Sequence, residues 1–154
     1  MYKLFIRKNT TSEEIIKNIL INLGIEKYSI SKNEYGCPYL KDVKDLYFNI
    51  SNKDNYTVCG ISNQKIGVDI EKITFKSKLL NRYFTEQEKD YILKSDKKDK
   101  EFTKIWVKKE SYVKMLGIGL SYGLKNVDTF DLKNYFHIKK MKNYYICVCT
   151  IPST

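Results

Sequence analysis

The stretch EFTKIWVKKESYVKML, residues 101–116, governs the reading of this chain, because it is the longest run with a helical period. Phe102, Ile105, Trp106, Val113 and Leu116 mark one apolar side of it, and Gly117 follows as a stop. Upstream, SDKKDK (95–100) reads as a polar linker. TEQEKDYILKS (85–95) reads as a helix opened by a capping box of Thr85 and Glu88, and SKLLNRYF (77–84) is also helical. Further upstream the period drops to two: IGVDIEKI (66–73), YTVCGIS (56–62) and LYFNIS (46–51) read as strands, with NQK a turn. A short strand is expected near 28–31, leading into the turn-rich NEYGCPYL (33–40). TSEEIIKNILINLG is a helix with Thr11 and Glu14 in a capping box, an apolar stripe of Ile15, Ile16, Ile19, Leu20 and Leu23, and Gly24 at its end. YKLFIR (2–7) is a first strand, and downstream VDTFDL (127–132), YFHIKK (135–140) and YYICVCT (144–150) read as strands. The order β, α, β-rich, α, β-rich points to an α+β fold with antiparallel sheets.

At 154 residues one domain is expected, and 42% hydrophobic with 30% charged residues is an ordinary folded composition. No apolar run approaches the ~20 residues that span a bilayer, and the start lacks the apolar core of a signal peptide, so a cytoplasmic protein is expected. Cys37, Cys59, Cys147 and Cys149 form no C-x-x-C pair and are read as reduced thiols. The net charge of +10 is carried almost wholly by lysine, with Arg7 and Arg82 the only arginines. Arginine normally makes bidentate phosphate and base contacts, so a nucleic-acid partner is disfavoured. The excess charge fits a solvated surface, or one that attracts an acidic partner or a phosphate-bearing ligand.

Two segments can carry chemistry. On a strand, Val68 and Ile70 face one side while Asp69 and Glu71 face the other. Two carboxylates so placed either face water or hold a hard divalent ion such as Mg²⁺ through oxygen. On the long helix, Glu110 and Lys114 are neighbours at i, i+4. They read either as an ordinary helix pair, or as a third oxygen ligand or base beside a phosphate-neutralising ammonium. Other schemes find no support. His137 is the only histidine, which excludes a multi-histidine metal site, and it sits in an expected strand. There is no G-x-x-x-x-G-K-[ST] loop and no G-x-G-x-x-G fingerprint.

Taken together, IGVD (66–69) and WVKKESYVK (106–114) resemble the signature of 4′-phosphopantetheinyl transferases, (I/V)-G-(I/V)-D followed by W-x-x-K-E-x-x-x-K. Trp106, Lys109, Glu110 and Lys114 match the second block, and Glu71 is similar to the surfactin-synthetase-activating type. FNIS (48–51), GCPYL (36–40), RYFTEQE (82–88) and GIGLS (117–121) are similar to further family segments in the same order, so the resemblance covers residues 35–124. Asn52 stands where the family has histidine, and Cys37 where it has lysine.

The resemblance implies transfer of the phosphopantetheine arm of coenzyme A to a serine of an apo carrier protein, releasing 3′,5′-ADP. It implies Mg²⁺ held by Asp69, Glu71 and Glu110, with Glu110 also able to take the serine proton and Lys114 stabilising phosphoryl oxygens. It implies coenzyme A contacts at Gly36, Cys37, Ser51, Asn52, Lys109 and Lys114, with Lys109 either reaching a phosphate or only anchoring its helix. Two pseudo-equivalent lobes are expected, a reduced one over 1–62 and one carrying the motifs over 63–154. The expected partner is an acidic acyl or peptidyl carrier, and the expected state is a monomer with no nucleic acid or membrane bound. The departures at Asn52 and Cys37 keep a second reading open, a non-catalytic relative that binds a carrier protein or biosynthetic partner, and the charge alone keeps a third, a lysine-rich nucleic-acid-binding domain.

Overall fold

In a computed structural model, residues 1–154 are described, at Leu120 and Ser121 by the backbone alone. The side chains at the end of the GIGLS segment therefore lie outside the described residues. Eight strands and four helices follow one another as β1 (Tyr2–Lys8), α1 (Ser12–Asn22), β2 (Ile30–Lys32), β3 (Pro38–Leu40), β4 (Tyr47–Lys53), β5 (Tyr56–Ser62), β6 (Ile66–Lys72), α2 (Ser77–Tyr83), α3 (Glu86–Lys94), α4 (Lys98–Leu116), β7 (Phe136–Met141) and β8 (Tyr144–Thr150). The fold is α+β, with small antiparallel sheets packed on helices.

Two three-stranded sheets have the orders β1-β5-β4 and β6-β8-β7, and β2 pairs with β3. In each large sheet the first strand of its segment pairs with the last, and the last with the one before it. The sheets share one core, where Tyr56 and Val58 of β5 meet Ile66, Val68, Ile70, Ile146 and Val148. That core uses the even-numbered face of β6, so Gly67, Asp69 and Glu71 point the other way, as the strand alternation requires.

Helix α4 covers this second face. Val107 packs with Tyr145 and Cys147, and Ser111 Oγ lies 3.2 Å from Cys147 Sγ. The approach of α4 to β6 is close enough to dictate a residue. A Cβ on Gly67 would fall 1.8 Å from the Ser111 carbonyl oxygen and 2.5 Å from the Met115 amide nitrogen, so only glycine fits. Gly117 ends α4 in the left-handed region at φ 67°. On the other sheet, α1 buries Ile15, Ile16, Ile19 and Leu20 against Phe48, Cys59 and Ile61. Both expected capping boxes are present, Thr11 with Glu14 and Thr85 with Glu88.

Three local expectations are corrected. Leu23 is 44% exposed and outside the apolar stripe of α1. The SDKKDK segment is not all linker: α4 begins at Lys98, with Asp99 and Glu101 in its first turn favouring the helix dipole. VDTFDL forms turns instead of a strand, because its polar groups are held by the core: the Val127 carbonyl accepts from Lys109, and Thr129 binds Glu88. All four cysteines are free, and no helix among the described residues is long and apolar enough to cross a membrane.

Candidate active site

Gly67 lets β6 press against α4, and that contact brings the two chemical segments together. Lys114 Nζ donates to the Val68 carbonyl at 3.0 Å and to Asp69 Oδ1 at 3.2 Å. Asp69 is buried, and Ser51 Oγ of β4 donates to the same Oδ1 at 3.0 Å. The other oxygen, Oδ2, is buried without a hydrogen-bond partner. Burial, with Glu71 and Glu110 adding to it against the pull of Lys114, pushes the Asp69 carboxyl up to about 7. Burial also raises Glu110, opposed by Lys114 and helped by Glu71.

The three acidic side chains thus share one electrostatic neighbourhood. As the side chains stand, each has a different company. Asp69 Oδ1 meets Lys114, Glu71 Oε2 meets Lys53 Nζ at 3.2 Å, and Glu110 lines a cavity. Among the described residues no three such groups are drawn close enough to hold a metal ion. Their chemistry nevertheless suits one, since hard cations prefer carboxylate oxygen and Asp69 Oδ2 lacks any donor.

Two adjoining cavities open beside Lys114. One, of ≈ 380 Å³, is lined by Glu110, Lys114, Gly36, Cys37, Pro38 and Ser12 among others. The other, of ≈ 470 Å³, also borders Cys37 and Lys114, and brings Lys44, Lys65 and the apolar side chains of Leu46 and Phe48. Burial raises the Cys37 thiol, against the opposing effect of Lys114.

Three residues expected to touch a coenzyme have partners within the protein. Lys109 is 0% exposed, and its ammonium donates to Glu88 Oε1 at 2.7 Å, to the Leu124 carbonyl at 2.9 Å and to the Val127 carbonyl. All three of its protons are engaged by protein acceptors, which ties α4 to α3 and to the segment 124–127. Ser51 is buried and bonded to Asp69 and to the Ile70 amide. The Asn52 amide donates to Ser12 Oγ at 3.0 Å and accepts from Thr57 Oγ1 at 2.8 Å. Neither Ser51 nor Asn52 lines either cavity.

Sequence reasoning missed several partners. Glu88 is expected only as a capping residue, yet the same carboxylate caps α3 through Thr85 N and holds Lys109 and Thr129. Asn49 is buried and accepts the Val68 amide at 2.8 Å, which with Ser51 and Ile70 joins β4 to β6 through side chains. Nothing local in FNIS announces this. Lys53 is likewise unremarkable in sequence, and only the fold sets it on Glu71.

Residues 65–147 match a family model described as the 4′-phosphopantetheinyl transferase superfamily. The chain is similar to the 4′-phosphopantetheinyl transferase gsp of Aneurinibacillus migulanus, 37% identical over 121 residues, covering 73% of this chain and 49% of the relative. It is similar to the 4′-phosphopantetheinyl transferase Sfp of Bacillus subtilis (strain 168), 31% identical over 140 residues, covering 84% and 61%. A third likeness is to the 4′-phosphopantetheinyl transferase HetI of Nostoc sp., 31% identical with 75% and 54% covered. The chain thus spans between about half and three-fifths of the length of these curated relatives.

Proposed function

This chain belongs to the 4′-phosphopantetheinyl transferase superfamily, of the surfactin-activating type, and from that premise we propose that it moves the phosphopantetheine arm of coenzyme A onto a serine of an apo carrier protein. The observation that carries the reading is the junction of β6 and α4, where Asp69 meets Lys114 and Glu110 faces the adjoining cavity. In the proposed reaction the serine oxygen bonds to the β-phosphorus of coenzyme A. The bond from that phosphorus to the bridging oxygen breaks, and 3′,5′-ADP leaves with the electron pair.

Asp69, Glu71 and Glu110 fit Mg²⁺ by their oxygen donors, by the unpartnered Oδ2 and by the burial that, with repulsion from the other two carboxylates, raises Asp69. When bound, that ion would neutralise charge growing on the leaving phosphate and polarise the phosphoryl group. Glu110 takes the serine proton, directly or through water, and its raised affinity for protons suits that task. Lys114 is partly exposed and supplies a point charge to the phosphoryl oxygens. Gly36 and Cys37 border the coenzyme cavity, while Lys44 and Lys65 replace buried Lys109 as cations facing solvent and ligand. The +10 charge steers an acidic carrier protein towards the site, and the chain acts as a cytoplasmic monomer with two lobes, 1–62 and 63–154.

The test is incubation with coenzyme A, Mg²⁺ and a panel of apo carrier domains, read by mass spectrometry. Addition of the arm is expected, and Glu110→Gln is expected to lower the rate at least ~100-fold, the lower range for a general base. A near-unchanged rate in that variant removes the role given to Glu110. The engagement of Asn52 with Ser12 and Thr57 favours one second reading, a carrier-binding relative without transferase activity. Calorimetry separates them, since undetectable coenzyme A binding in the presence of Mg²⁺ supports the second.

A further inference from the structure

Resting on the reading of Asp69 as a metal ligand, we infer that Ser51 is a positioning residue that acts through Asp69 to set which carboxylate oxygen is presented to the ion. Ser51 is 6% exposed, and its hydroxyl oxygen accepts the Ile70 amide at 3.3 Å while donating to Asp69 Oδ1 at 3.0 Å. A hydroxyl has one proton. With the oxygen facing the Ile70 amide, that proton is turned to the carboxylate. Lys114 Nζ approaches the same Oδ1 at 3.2 Å. Two donors therefore converge on Oδ1 and none on buried Oδ2. The carboxylate cannot rotate without breaking both bonds, so Oδ2 is the oxygen left free to bind.

A plain structural role would be that of Asn49, two residues earlier on β4, which accepts the Val68 amide at 2.8 Å and makes no bond to Asp69. Asn49 and Ser51 contribute the same kind of bond between β4 and β6, and only Ser51 also reaches the acidic centre. The pair therefore separates fastening from positioning.

The experiment titrates the full chain with Mn²⁺, followed by electron paramagnetic resonance without coenzyme A, and checks displacement by Mg²⁺. Ser51→Ala is expected to weaken Mn²⁺ binding by about 10–100-fold, the range for residues that orient metal ligands. Ser51→Thr keeps the hydroxyl and is expected to restore affinity to within about threefold of the unsubstituted chain, well below that range. Asn49→Ala is expected to lower the thermal midpoint while changing Mn²⁺ affinity by less than Ser51→Ala does. If Ser51→Ala fails to fold, Ser51→Cys keeps the volume with a weak donor and takes its place. Equal affinity in Ser51→Ala and the unsubstituted chain overturns the inference and leaves the metal reading standing. Equal weakening by Asn49→Ala and Ser51→Ala also overturns it, by showing fastening alone. Absence of Mn²⁺ binding in the unsubstituted chain overturns the metal reading itself, and this inference with it.

Discussion

Replacing Lys109 by methionine tests whether the motif lysine serves the fold or the ligand. Its ammonium is fully buried against Glu88 and two carbonyls, and Glu88 is itself 0% exposed. Methionine fills a similar volume but leaves Glu88 as a buried carboxylate whose remaining partners among the described residues are Thr85 and Thr129. Removing one member of a buried ion pair costs about 3–5 kcal/mol, because the other charge stays desolvated. For a chain of this size each kcal/mol moves the thermal midpoint by about 2–4 °C, so a fall of about 6–20 °C is expected. Circular dichroism against temperature and urea measures it. The double variant Lys109→Met with Glu88→Gln is expected to be less destabilised than Lys109→Met alone, since no uncompensated charge remains. A Lys109→Met chain that keeps its unfolding free energy within about 1 kcal/mol, yet shows a raised KM for coenzyme A, would refute the reasoning and return Lys109 to the ligand.

Gly67→Ala forces a methyl group against the Ser111 carbonyl, so β6 and α4 must part; a loss of about 3 kcal/mol or more is expected in urea denaturation, with reduced transfer. Mg²⁺ at a hundred times its dissociation constant is expected to add about 2.7 kcal/mol to stability, reversed by EDTA and absent in Asp69→Asn. A thermal midpoint insensitive to millimolar Mg²⁺ would contradict that. In the folded chain only Cys37 is expected to react readily with a thiol reagent, the other three cysteines being fully buried. Burial raises its thiol against the pull of Lys114, so at any given pH less thiolate is expected than on an exposed cysteine, and its labelling rate should climb with pH from a lower starting value than a model thiol's.

Much of the fold was legible because it rests on local rules. The capping boxes at Thr11 and Thr85, the stop at Gly117 and the alternation along β6 each follow from neighbours in sequence. VDTFDL misled for the converse reason. Its alternation suits a strand, but Lys109 and Glu88 claim its carbonyl and hydroxyl from distant helices. Lys109 itself sits among charged neighbours, and helical spacing alone does not show that it turns inward to the buried Glu88 carboxylate. Ser51 and Asn52 look alike on paper as polar residues near a motif, yet one joins the acidic centre and the other ties down the start of α1.

The join between β4 and β6 has a consequence for motion. The strands belong to different sheets, and the amides of Val68 and Ile70 end on side chains instead of on a neighbouring strand's carbonyls. Those two amides therefore form a built-in gauge. Their hydrogen-exchange rates report how often β4 and β6 part at this contact. Because each fastening is a single replaceable side chain, evolution can loosen or tighten the clasp one residue at a time, without rewriting a backbone ladder.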